Sequence, residues 1–199
     1  MENPHFENLK RVFENNNGIA ERTDFADIHY RHINKLMKEG TVIRLKRGLY
    51  QWVNGMETDE IEILIKLLPE SILSMESALH YYEYTDRTPD RWTISVNRNI
   101  NKNKLKIVYP PIKPYYVDPN LLELGLTEGK INEIPVRIYN KERTICDILK
   151  YVNKMDREIV NKAIQAYIKD PQKNVPLLLD YGKTLKISKR IQTWLGVWF

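Results

Sequence analysis

The segment Val42–Val53, VIRLKRGLYQWV, reads as two short strands joined by a tight turn. Apolar and polar residues alternate on either side of Lys46-Arg47-Gly48, as in a strand with one face inward. Gly48 supplies the positive φ that a tight hairpin needs. Leu45 and Leu49 anchor the strands, which leaves two cations, Lys46 and Arg47, on the turn.

What precedes the hairpin reads as helical. Leu9, Val12 and Phe13 make an i, i+3, i+4 stripe that ends in an Asn run and Gly18. Thr23 or Asp24 can cap a short helix with Phe25 and Ile28 inward. A third helix is predicted over Tyr30–Glu39, with Ile33, Leu36 and Met37 buried and Gly40 ending it. Helix, short helix, helix, hairpin is the order of a winged helix-turn-helix, expected over residues 1–55.

Charge follows the same segment. His29–Val53 holds six basic residues against one acid, Glu39, a surplus equal to the formal charge of +5 on all 199 residues. Charge runs are usually solvated faces, and concentrated positive charge is also the footprint of a nucleic-acid site. Spacing favours the second reading. Arg31, Lys35 and Lys38 fall opposite the apolar stripe of the third helix, where a recognition helix meets the major groove. Arg44, Lys46 and Arg47 fall in the wing, within reach of phosphates. The expected DNA-binding set is Arg31, His32, Asn34, Lys35, Lys38, Arg44, Lys46 and Arg47. Asn34 either reads a base edge through its amide or is an idle polar residue. His29 and His32 have no nearby cysteine, and Asp27 is a poor third ligand, so capping or phosphate contact is expected rather than a metal.

After Gly55 a second domain is expected over residues 56–199, mixed α/β to about residue 139 and helical over 140–199. An acidic amphipathic helix starts near Thr58, and another follows Ser74, its candidate cap. RWTISVN, KLKIVY, PYYV and IPVRIYN read as strands, with Pro110, Pro111 and Pro114 holding one of them to an edge or a bend. Asp118 and Pro119 start a short helix. The fold class is α+β.

No catalytic, cofactor or metal set emerges, and the chain does not read as an enzyme. YGKT at Tyr181–Thr184 lacks the glycine that a phosphate loop needs, since Leu177 stands there. Neither a Gly-Ser nucleotidyltransferase start nor a G-x-S-x-G elbow occurs. Cys146 reads as a small core residue. As the lone cysteine it fits a reducing cytoplasm. No signal peptide or membrane-length apolar run is visible, so a cytoplasmic protein without a membrane partner is expected.

HYRHINKLMKEGTVIRLKRGLYQW resembles the winged-helix domain of the AbiEi family of abortive-infection antitoxins, of type IV toxin-antitoxin systems. The likeness lies in the Lys-Glu-Gly-x-hydrophobic helix exit and the Arg-x-Lys-Arg-Gly-hydrophobic-Tyr wing. SMESALHYYEYTDRTPDRWTISVN is similar to the family's Glu-Ser-Ala-Leu helix, connection and strand, and VRIYNKERTICDIL to its Glu-Arg-Thr-hydrophobic-x-Asp element. Together these span roughly Gly18 to Lys150. The resemblance implies a bacterial antitoxin for phage defence. Its winged helix would bind operator repeats of its own promoter as double-stranded DNA, in more than one copy, and repress transcription. Its second domain would counter a nucleotidyltransferase-like toxin, by direct binding or without a stable complex. Glu142, Arg143, Thr144 and Asp147 would maintain the fold of that domain. The alternative is a winged-helix regulator whose second domain senses a ligand or mediates assembly, unconnected with a toxin.

Overall fold

The computed structural model describes residues 4–198. The fold is α+β, and the chain divides into two compact units, Met1–Pro69 and Glu70–Phe199.

In the first unit, α1 (Pro4–Asn15) leads into the short strand β1 (Ile19–Glu21). A 3-10 turn (Arg22–Phe25) follows, and then α2 (Tyr30–Lys38) and the strands β2 (Val42–Lys46) and β3 (Leu49–Trp52). The sheet is antiparallel in the order β1-β3-β2. The sequence does not announce β1, whose three residues are too few to show alternation. In place of the short helix expected to be capped by Thr23 or Asp24 stands this 3-10 turn, which contains both residues and starts from Glu21 as its cap. There Asp24 Oδ2 accepts the Glu21 backbone N–H at 2.7 Å.

The core of this unit joins Leu9 and Phe13 of α1 to Ile33 and Leu36 of α2 and to Val42, Tyr50 and Trp52 of the sheet. Phe13 and Trp52 pack at 5.6 Å, and Phe25 and Tyr50 edge-on at 5.7 Å. Helix α2 ends at Gly40, with φ +72°. The hairpin turns over Arg47 and Gly48 alone, with Gly48 at φ +82°. Lys46, expected in the turn, belongs to β2 and pairs with Leu49 across a bulge at Leu45.

Helix α3 (Glu60–Leu67) completes this unit. Its cap is Asp59, whose Oδ1 accepts the Ile61 N–H at 3.1 Å, one residue beyond the expected start at Thr58. The Thr58 hydroxyl donates to Asn17 O at 3.1 Å, and Lys66 Nζ donates to Ile19 O at 3.3 Å. These bonds tie residues 56–69 to the first unit, so its compact limit lies at Pro69 and not at the expected residue 55.

The second unit is built on a five-stranded mixed sheet. Its strands are β4 (Ile72–Leu73), β5 (Trp92–Asn97), β6 (Ile112–Val117), β7 (Leu126–Ile131) and β8 (Ile134–Tyr139), in the order β6-β5-β4-β8-β7. β6 runs parallel to β5 and occupies an edge, where Pro114 costs no ladder bond on the open side. Helix α4 (Met75–Tyr81) precedes β5, and α5 (Pro119–Leu122) follows β6 with Asp118 as its cap.

Helices α6 (Lys141–Lys150), α7 (Arg157–Lys169), α8 (Val175–Thr184) and α9 (Ser188–Leu195) close the chain. Met75, Leu79, Ile145, Ile148, Ile164, Leu178 and Ile191 are among the residues of their shared core. Gly182, in the YGKT segment, lies inside α8, where a Cβ would run into the Ile191 side chain of α9. Its role there is close helix packing.

Three expectations for the second unit are corrected. KLKIVY forms no strand; it is a 3-10 turn (Lys102–Leu105) followed by an irregular segment in which Val108 and Tyr109 are exposed. LTEGKI, not among the expected strands, forms β7. Ser74 stands at the start of α4 but makes no capping bond with its side chain. Its hydroxyl instead accepts from Ser95 Oγ at 2.9 Å, beside the buried Thr93 hydroxyl that donates to Ser74 O at 2.6 Å.

Candidate nucleic-acid interface

Helix α2 presents its cations on the side away from the core. Ile33 and Leu36 are buried, while Arg31, Lys35 and Lys38 are exposed within an arc of about 60° at 100° per residue. His29 caps the helix, its Nδ1 accepting the Arg31 N–H at 3.2 Å. The Arg31 side chain donates from Nε to His32 Nε2 at 3.4 Å. Lys35 lies 3.8 Å from Glu39, with its side chain 70% exposed, too open for the pair to hold it. Lys38 has no ion-pair partner among the described residues. Asn34 is half-buried at the side of the same face.

His32 is half-buried and its ring lies 4.4 Å from that of His5. Desolvation, His5, Arg31, His29 and Lys35 together hold its imidazole below the usual histidine pKa. Among the described residues no group of three His, Cys, Asp or Glu side chains is placed to hold a metal.

The hairpin cations separate into two kinds. Arg47 sits exposed on the turn with no ion-pair partner among the described residues. Arg44 is exposed and donates from Nε to Lys46 O at 3.3 Å, inside the bulge. Lys46, expected beside Arg47 and free to meet phosphate, is drawn to the last turn of α3. Its Nζ donates there to Lys66 O at 2.9 Å and Leu67 O at 3.5 Å. A bulge redirects the side chain that follows it, and a helix C-terminus offers unpaired carbonyls at the negative end of its dipole. Such carbonyls exist at every helix end whatever the sequence, so no residue pattern signals this bond.

Tyr30 and Ile43, which no sequence pattern marks as functional, are exposed on the same two elements, at 39% and 40%. Burial, and after it the neighbouring Tyr30, push the Tyr50 hydroxyl above its usual pKa.

The second-unit residues singled out through the family resemblance are buried. Arg143 is 1% exposed, donates from Nε to both carboxylate oxygens of Asp147 at 3.1 Å, and lies 4.3 Å above the Tyr139 ring. From Nη1 it donates to Leu121 O at 2.8 Å and Leu124 O at 2.7 Å. Glu142 Oε1 accepts from the Asn174 N–H at 2.8 Å and from the Tyr167 hydroxyl at 3.3 Å. Thr144 Oγ1 donates to Tyr139 O at 3.3 Å. These bonds lock the start of α6 to neighbouring elements of its unit and leave none of these four side chains open to solvent. Burial pushes the Cys146 thiol up, and its Sγ donates to Leu178 O at 3.7 Å.

No family model matches the chain, and no curated protein matches it. Among solved structures, the crystal structure of the RV2827C protein from Mycobacterium tuberculosis is similar in fold, with a TM-score of 0.55 at 14% identity. That alignment covers 94% of this chain and 78% of the mycobacterial one. At that identity the likeness concerns the fold alone. Among the described residues no helix is long and apolar enough to cross a membrane.

Proposed function

We propose that the first unit is a winged helix that binds double-stranded DNA, and that the chain is the autorepressing antitoxin of an abortive-infection toxin-antitoxin system. The observation that carries the DNA reading is the outward face of α2, with Arg31, Lys35 and Lys38 exposed ahead of a hairpin whose turn exposes Arg47. The order helix, strand, 3-10 turn, helix, hairpin is compatible with a recognition helix and wing. Arg31 and Asn34 would face base edges, and Lys35, Lys38, Arg44 and Arg47 would neutralise phosphates. Lys46 joins them only by leaving the α3 carbonyls.

The antitoxin role is supported by the sequence resemblance over Gly18–Lys150. The partner would be a nucleotidyltransferase-like toxin, and copies of the chain would assemble on operator repeats in the cytoplasm. Co-expression with the adjacent gene tests it. Growth restored by this chain supports the role, and toxicity that persists with the chain present contradicts it.

A further inference from the structure

We propose that the second unit carries a binding site for a phosphorylated small molecule, in a cavity between the end of α6 and the α8–α9 turn. The cavity has a volume of about 430 Å³ and is lined by Lys150, Lys154, Lys186 and Arg190, with Tyr151, Leu185 and Ile187 among its other walls. Among the described residues no acidic side chain lines it. None of the four cations has an ion-pair partner among the described residues.

Arg190 is anchored. Its Nη1 donates to Leu149 O at 3.1 Å and to Lys150 O. A guanidinium has five N–H donors, so Arg190 keeps donors for a ligand while its position is fixed by the α6 terminus. Lys150 Nζ lies 6.0 Å from the Tyr151 ring centroid, and Tyr151 packs edge-on against Tyr115 at 5.1 Å.

Four cations brought to one concavity from chain positions about forty residues apart repel one another, and no acidic wall offsets that repulsion. A ligand bearing several negative charges would. Phosphate suits the donor set, because guanidinium and ammonium groups bond its oxygens with charge assistance. The buried Leu185 and Ile187 and the half-buried Tyr151 offer a less polar wall for the rest of the molecule. The volume lies in the range of small-molecule sites, about 300–1,000 Å³. The four cations line a cavity, so a compact phosphate ester fits the site better than a polynucleotide. The inference stands whether or not the first unit binds DNA.

The turn also supplies a variant that removes a charge without straining the fold. Lys186 adopts φ +58°, a conformation that favours glycine. Lys186→Gly therefore deletes one cation and relaxes the backbone. Lys154 is exposed and its side chain has no hydrogen bond or ion pair among the described residues, so Lys154→Ala is expected to fold normally.

Calorimetric titration of the full chain with inorganic pyrophosphate and, separately, with ATP tests the site at fixed ionic strength. Both probes should bind, and Lys154→Ala combined with Lys186→Gly should weaken both by roughly tenfold or more. Lys104→Ala, which removes an exposed charge elsewhere in the same unit, should leave both unchanged. Tighter binding of ATP than of pyrophosphate would assign the less polar wall to the nucleoside, and equal binding would restrict recognition to the phosphates; either supports the site. No binding of either probe, equal weakening by Lys104→Ala, or binding only to polynucleotide or to vesicles containing phosphoinositides would overturn it.

Discussion

Lys46 and Arg47 are adjacent and chemically alike, yet the fold gives them different work. Lys46 is tied to the carbonyls that end α3, and Arg47 is open to solvent. Replacing Lys46 by Ala should lower stability by about 0.3–1 kcal/mol, the usual worth of an exposed cation at a helix C-terminus. Arg47→Ala should leave stability unchanged while weakening DNA binding. Urea unfolding of the two variants separates them, and equal midpoints would show that the bond to α3 is idle. His32 links the proposed interface to pH. Its folded pKa lies below 6.5, so the stability contributed by the neutral ring is present above that value and lost as pH falls through the folded pKa. Bound phosphate favours the imidazolium, so DNA affinity should rise as pH falls over the same window. Anisotropy titrations at pH 5.5 and 7.5, about one unit either side of 6.5, should show that rise in the native chain and a smaller one in His32→Gln. Identical pH dependence in the two would remove His32 from the interface.

Among the elements, α2 and the β2–β3 hairpin are the most legible in sequence. Ile33, Leu36 and Met37 repeat at helical spacing, and Gly40 and Gly48 mark the two places where the backbone turns left-handed. The short or interrupted strands are not legible. β1 has three residues, and β7 exposes Glu128 and Lys130 and contains Gly129, which blunts the apolar alternation that marks a strand. KLKIVY alternates well but leads into Pro110 and Pro111, and the place beside β5 is taken by β6. Alternation reports a half-buried surface and not a pairing partner. The candidate interface is legible in residue type, because amphipathic spacing fixes which side of α2 faces outward. The capture of Lys46 is not, because its acceptors are backbone atoms. At the start of α6, Arg143 and Asp147 form a buried ion pair. Asp147→Ala would leave the Arg143 guanidinium buried without its counter-ion, at a cost of about 3–5 kcal/mol. Denaturant titration measures that cost, and a change within experimental scatter would refute a structural role for the pair.

For the whole molecule, the division into units ending and starting at Pro69 and Glu70 separates two kinds of charge. The exposed cations of α2 and the hairpin turn lie on an outward helix face and a loop tip, which suit an extended polyanion. The four cations of the second unit line a cavity, which suits a compact one. Such an arrangement permits a regulator in which one unit holds DNA and the other answers to a separate molecule. DNA binding through α2 and the hairpin is the central claim. It is tested most directly by titrating duplex DNA from the region upstream of the gene with the native chain and with the Lys38→Ala, Arg47→Ala double variant, at several salt concentrations. The native chain should bind, and the double variant should bind more weakly to every duplex. Its salt slope should be lower by about two units, because each of the two cations would neutralise one phosphate in the proposed complex. Affinity and slope unchanged in the double variant would contradict the claim.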